Sequence, residues 1–174
     1  MDPSVLRRRL YWVGGGYAAV VAFSAALIVM RYFQYVMHPA DAAQYSGMWA
    51  GGDLILELFI CGMLLVMTCI LALVIMRDEV AYTAYSKVLV GVSLTMPLSV
   101  GIIAIPAVEQ GVGVLGFACL FRLFASPLVI AGLGFSRLLA RFPRPKKLIT
   151  YSLLIEGLTL VLMVALLFSP FRLH

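Results

Sequence analysis

The sequence predicts an all-α integral membrane protein of five transmembrane helices, with its N-terminus cytoplasmic and its C-terminus outside. Three observations lead there. Of 174 residues, 63% are hydrophobic and only 12% are Asp, Glu, Lys or Arg, with mean hydropathy +1.05; a soluble domain carries about a quarter charged residues. A soluble fold of this size has too little interior to hide so much apolar side chain, and disorder requires the opposite composition. The apolar residues also fall into five long runs separated by helix breakers, and the basic residues gather at alternate ends of those runs.

A spanning helix needs roughly 20 mostly apolar residues, and the runs are taken in order as a single membrane domain over 1–174. The first covers Tyr11 to Met30 and continues to Met37, where His38-Pro39 closes it. The second covers Leu54 to Met76, opened by Gly51-Gly52-Asp53 with Asp53 placed as N-cap. The third covers Val88 to Ile105 and the fourth Val112 to Phe135, separated by Pro106, Gly111 and Gly113. The fifth covers Leu148 to Phe168, set off by the run Arg141-Phe142-Pro143-Arg144-Pro145 and ended by Pro170. Helices are required because unpaired backbone groups do not survive against lipid.

Charge sets the orientation. With a cytoplasmic N-terminus, the inner side receives Arg7, Arg8, Arg9, Arg77, Lys87, Arg137, Arg141, Arg144, Lys146 and Lys147, and the outer side only Arg31 and Arg172. Tyr11, Trp12, Tyr82, Tyr85 and Tyr151 fall at the inner boundary, and Tyr32, Tyr35, Tyr45 and Trp49 at the outer one, as aromatic belts do. The first run is too long for a signal peptide and no A-x-A site follows it, so it reads as an uncleaved anchor in the cytoplasmic (inner) membrane of a bacterium. The net charge of +5 suits anionic lipid headgroups rather than nucleic acid. Arg137, Arg141, Arg144, Lys146 and Lys147 are the headgroup candidates.

Two ionisable residues lie near the bilayer centre, Arg122 in the fourth run and Glu156 in the fifth, and such residues are the first functional candidates in a membrane protein. Their helices run in opposite directions, so their Cα levels differ by roughly 8 Å at 1.5 Å per residue, within reach of a direct or water-bridged pair. A central arginine costs about 2.5–3.5 kcal/mol to insert, and each apolar neighbour returns about 0.3–0.6 kcal/mol. The fourth run therefore inserts, with a charge that seeks a partner. Pro127 lies five residues beyond Arg122 and removes a donor from the Leu123 carbonyl; Pro97, between Thr95 and Ser99, does the same for Ser93. Broken helices beside a charge are how carriers build midplane sites, although proline kinks in membrane helices are common and more often only shape the packing; Arg122, Glu156, Pro127, Pro97 and Thr95 form one candidate buried polar site, read either as a structural docking pair or as a ligand- or proton-handling centre.

A second polar cluster lies near the outer face. Asp53 and Glu57 are spaced i,i+4 on one helix face, and Arg31 reaches the same depth from the first helix. It reads as a cap and dipole arrangement with Arg31 neutralising one acid, or as a proton- or cation-accepting vestibule with His38 and Asp41 near it. Other motifs carry no chemistry. Gly111-x-Gly113-x-x-Gly116 follows no strand and is better explained by helix packing than by a dinucleotide. Ala18, Ala22 and Ala26 form a small-residue stripe expected to mark a helix contact. Cys61, Cys69 and Cys119 form no C-x-x-C, and His38 and His174 exclude a bis-histidine haem within the spans. No cofactor and no metal site is expected.

No catalytic set assembles from these residues. The first reading is a non-catalytic accessory or assembly subunit of a larger membrane complex. A small transporter or solute-binding module using the Arg122/Glu156 site is the alternative, and a membrane enzyme acting on a lipid-like substrate the third. Membrane lipids are the expected partners, with subunits of a larger complex or further copies of the chain beside them and no nucleic acid.

Overall fold

The computed structural model describes residues 3–103 and 114–168. Among them the chain is all helical, without strands: α1 (Pro3–Met37), α2 (Pro39–Gln44), α3 (Ser46–Ile75), α4 (Glu79–Ile103), α5 (Val114–Leu139) and α6 (Pro143–Phe168). All but the six-residue α2 are long and apolar enough to cross a membrane. The expected breakers Pro106, Gly111, Gly113 and Pro170, together with Arg172 and His174, lie outside the described residues.

Every long helix with a described start begins earlier than hydropathy alone predicts, each for a local reason. α1 takes in Arg7, Arg8 and Arg9, and at 1.5 Å per residue its 35 residues exceed the roughly 30 Å of hydrocarbon. α3 starts at Ser46, where the Tyr45 carbonyl accepts the N–H groups of Met48 and Trp49. Gly51, Gly52 and Asp53 therefore lie inside α3, and Asp53 is not its N-cap. Interior glycine is tolerated in an apolar helix, where breaking the backbone ladder costs more than glycine's lost propensity. α4 starts at Glu79, capped by Asp78, whose Oδ1 accepts the Ala81 N–H at 2.9 Å. The polar residues before Val88 do not delay it, because the Thr83 and Ser86 hydroxyls bond back to the Glu79 and Tyr82 carbonyls at 2.7 Å. α6 starts at Pro143 rather than Leu148, a first-turn position that suits proline. The Lys146 N–H bonds to the Phe142 carbonyl.

By internal contacts the chain falls into two compact units, one up to Val74 and one from Ile75. The first is an antiparallel helical hairpin. On α1 the less exposed positions are Leu6, Val13, Gly16, Tyr17, Val20, Ser24, Leu27, Arg31 and Tyr35, which from Val13 onward form one stripe at helical three- and four-residue spacing. Tyr17 Oη meets Thr68 Oγ1 at 2.8 Å near one end, and Arg31 meets Asp53 near the other. Gly16 has no Cβ to exclude the Met67 methyl that lies against it. Ala18, Ala22 and Ala26 fall on the exposed side of α1, so the alanine stripe is not the seam of this hairpin.

The second unit is a three-helix bundle of α4, α5 and α6, with the most extensive packing between α4 and α6, which are not consecutive. Its interior is rich in small and polar residues: Ser86, Ser93, Ser126, Ser136 and Ser152 are buried, with Tyr82, Met96, Leu133 and Ile149 filling the remaining space. A serine that bonds back to its own helix, as Ser86 and Ser152 do, packs like a small residue and lets helices approach closely. Pro97 and Pro127 lie inside α4 and α5, which continue through them, and both are exposed. Neither helix is split there, which fits the reading of these prolines as packing features rather than as a broken-helix site.

Candidate functional site

The three helices of the second unit are joined through Arg122, in a network that runs from the buried Glu156 and Ser126 to the exposed Thr95 and Val92. The Arg122 Nη2–H donates to Glu156 Oε2 at 2.7 Å and to the Val92 carbonyl at 3.2 Å, and its Nε–H donates to Thr95 Oγ1 at 2.7 Å. The Thr95 hydroxyl in turn donates to the Val92 carbonyl at 2.6 Å. On the other side of the carboxylate, the Ser126 hydroxyl donates to Glu156 Oε1 at 2.7 Å. One connected network thus joins α4, α5 and α6.

Its burial is graded. Glu156 is fully buried, at 0% exposure, while 15% of the Arg122 side chain remains exposed. A carboxylate taken out of water is tolerated only when paired and hydrogen-bonded, and each Glu156 oxygen has a donor. The guanidinium is less complete. Its Nη1 is buried and meets no acceptor, and neither does the hydroxyl of Ser93, one residue from Val92.

Of the five residues the sequence groups here, the structure brings three together. Arg122, Glu156 and Thr95 converge, in a direct pair rather than a water-bridged one. Pro97 and Pro127 do not line the centre. Ser126 and the Val92 carbonyl were not anticipated. Ser126 had a readable signal, since it lies four residues after Arg122 and so on the same helix face; a backbone carbonyl has none. Nearer the start of α4, the Tyr82 hydroxyl donates to the Ser136 carbonyl at 2.5 Å, and Tyr85 Oη lies 2.8 Å from Ser136 Oγ. These buried tyrosines tie α4 to α5 rather than forming part of an aromatic belt.

The polar cluster of the hairpin unit is more closed than expected. The Arg31 Nε–H donates to Asp53 Oδ1 at 2.6 Å, Nη1–H to Gln34 Oε1 at 3.1 Å and Nη2–H to the Trp49 carbonyl at 2.9 Å. Its guanidinium lies over the Trp49 ring at 4.3 Å and the Tyr35 ring at 5.0 Å, and the Tyr35 hydroxyl donates to Asp53 Oδ2 at 2.5 Å. Gly52 makes room: a Cβ there would stand 3.2 Å from Arg31 Nη2. Glu57, expected to share this cluster, forms no ion pair with Arg31. It is buried at 2% exposure with Oε1 unpartnered. His38 and Asp41 approach only to 3.6 Å and are well exposed. Among the described residues no group of three His, Cys, Asp or Glu side chains could hold a metal.

The five headgroup candidates separate into two sets. Arg137, in the last turn of α5, and Lys146 and Lys147, in the first turns of α6, line one open groove of about 390 Å³ with Pro143, Thr150 and Tyr151. Arg141 and Arg144 are exposed but do not line it.

Chemically, the Arg122 centre offers a fixed carboxylate and one unpartnered guanidinium nitrogen, Nη1, with its two N–H groups. The carboxylate's two oxygens are taken by Arg122 and Ser126, so the pair joins α5 to α6. Compared with known protein families, curated proteins and solved structures, the chain matches none.

Proposed function

We propose that this small multi-pass membrane protein is a non-catalytic accessory or assembly subunit of a larger membrane complex, inserted in a bacterial inner membrane with its N-terminus cytoplasmic. The observation that carries this reading is the state of Glu156: at 0% exposure, with both oxygens occupied by Arg122 and Ser126, it acts as an internal fastener. A carrier's carboxylate must exchange partners during each cycle, whereas this one has its partners within the bundle. The two exposed prolines and continuous α4 and α5 point the same way. Large exposed apolar side chains along every long helix, such as Val21, Ile55, Leu98, Phe124 and Leu158, leave ample surface for lipid and for partner helices.

One observation favours a second reading, a small transporter or solute-binding module. The unpartnered Arg122 Nη1 is a donor able to take a carboxylate, phosphate or carbonyl oxygen. No observation favours the third reading, an enzyme acting on a lipid-like substrate.

The test is purification from native membrane in mild detergent, of the wild type and of Arg122→Leu/Glu156→Leu. The accessory reading expects a partner at fixed stoichiometry with both proteins. It fails if the wild-type chain alone supports solute flux in proteoliposomes and the folded double variant does not.

A further inference from the structure

We propose that the groove between the end of α5 and the start of α6 is a binding site for an anionic phospholipid, with Arg137, Lys146 and Lys147 holding the phosphate and one acyl chain lying along the exposed face of α6. The first ground is unmet charge. These three cations come from two helices to one groove, and among the described residues none of them has a carboxylate within ion-pair distance. The sequence reinforces this, for no Asp or Glu occurs between Glu109 and Glu156. Lysine and arginine brought together without a counter-ion repel one another unless an anion sits among them.

The second ground is what adjoins the groove, and it decides between a lipid and a soluble phosphate. Tyr151 lines the groove and is 59% exposed. From it the exposed residues Leu154, Leu158, Val161 and Leu162 continue along α6 at helical spacing. From Tyr151 to Leu162 the helix rises roughly 16 Å at 1.5 Å per residue, about half the roughly 30 Å of hydrocarbon and so the reach of one acyl chain. A free phosphate uses the cations alone; a phospholipid uses both the cations and the apolar track. Thr150 supplies no donor to the groove, since its hydroxyl bonds back to the Lys146 carbonyl at 2.8 Å.

The site also separates a fixed headgroup from a diffuse basic surface. Arg141 and Arg144 carry the same charge, lie in the same stretch and do not line the groove. Charge-matched pairs therefore isolate geometry from field. The full-length protein, in neutral detergent, is titrated with phosphatidylglycerol and with phosphatidylcholine, and bound lipid is read by native mass spectrometry. Phosphatidylglycerol is expected to bind in preference. Arg137→Gln/Lys146→Gln should weaken it roughly 30-fold, from about 1 kcal/mol per surface charge converted at tenfold per 1.4 kcal/mol. Arg141→Gln/Arg144→Gln should weaken it less than about threefold, and millimolar glycerol phosphate should not displace it. Equal losses in the two pairs, no preference for the anionic lipid, or displacement by glycerol phosphate would each overturn the proposal; the last would identify a soluble-anion site.

Discussion

Removing the Glu156 carboxylate is the perturbation that tests the bundle most directly. In Glu156→Leu, Arg122 loses its only counter-charge among the described residues, and the Ser126 hydroxyl loses its acceptor. Arg122 keeps Thr95 and the Val92 carbonyl, neither of which carries charge. Removing one partner of a buried ion pair costs about 3–5 kcal/mol. The 15% exposure of the arginine side chain places the cost toward the lower end, since some of the charge still reaches the bundle surface. Arg122→Leu should cost a comparable amount, because it strands a fully buried carboxylate. The double variant Arg122→Leu/Glu156→Leu removes both charges and should recover to within about 1–2 kcal/mol of wild type, as buried pairs replaced by apolar residues generally do. The assay is reversible unfolding of the purified protein in mixed micelles, alongside steady-state abundance in the membrane. If the two single losses simply added in the double variant, the coupling drawn between α5 and α6 would be refuted.

Three further outcomes follow from the geometry. Tyr82→Phe removes the donor to the Ser136 carbonyl in a fully buried position and should cost about 1–2 kcal/mol in the same unfolding assay; a neutral result would mean the α4–α5 contact is set by packing alone. Glu57→Leu replaces a buried carboxyl that has an unpartnered oxygen, so it should stabilise the protein by about 1–3 kcal/mol, and a loss of stability would reveal a partner for that oxygen. Arg31→Lys keeps the charge but loses the forked donors that reach Asp53, Gln34 and the Trp49 carbonyl and the stacking on Trp49 and Tyr35. It should cost about 1–3 kcal/mol and change Trp49 fluorescence; an unchanged spectrum and midpoint would argue against the stacked arrangement.

Much of the fold was readable because hydropathy operates at the scale of whole helices. Five long apolar runs become five long helices, and His38-Pro39 ends the first where the pattern says it should. Helix starts were legible only where they coincide with a change in polarity. At Ser46 and Glu79 they do not, because a helix takes up polar residues whose hydroxyls bond to its own backbone and continues through Gly51 and Gly52. The small α2 left no hydropathy signal at all.

The amino-acid order by itself determined that Arg122 and Glu156 are oppositely charged groups at similar depth on consecutive antiparallel runs, each costly to leave alone in an apolar setting. That follows from composition and from the 1.5 Å rise of a helix, which are properties of the chain. Tertiary packing decided which further groups complete the pair, because rotation of a helix about its axis is fixed only by its neighbours. It brings Thr95, the Val92 carbonyl and Ser126 to the ion pair, turns Pro97 and Pro127 outward, and leaves Glu57 buried apart from Arg31. A spacing rule places residues on a shared face, but which face meets another helix depends on side chains far away in sequence.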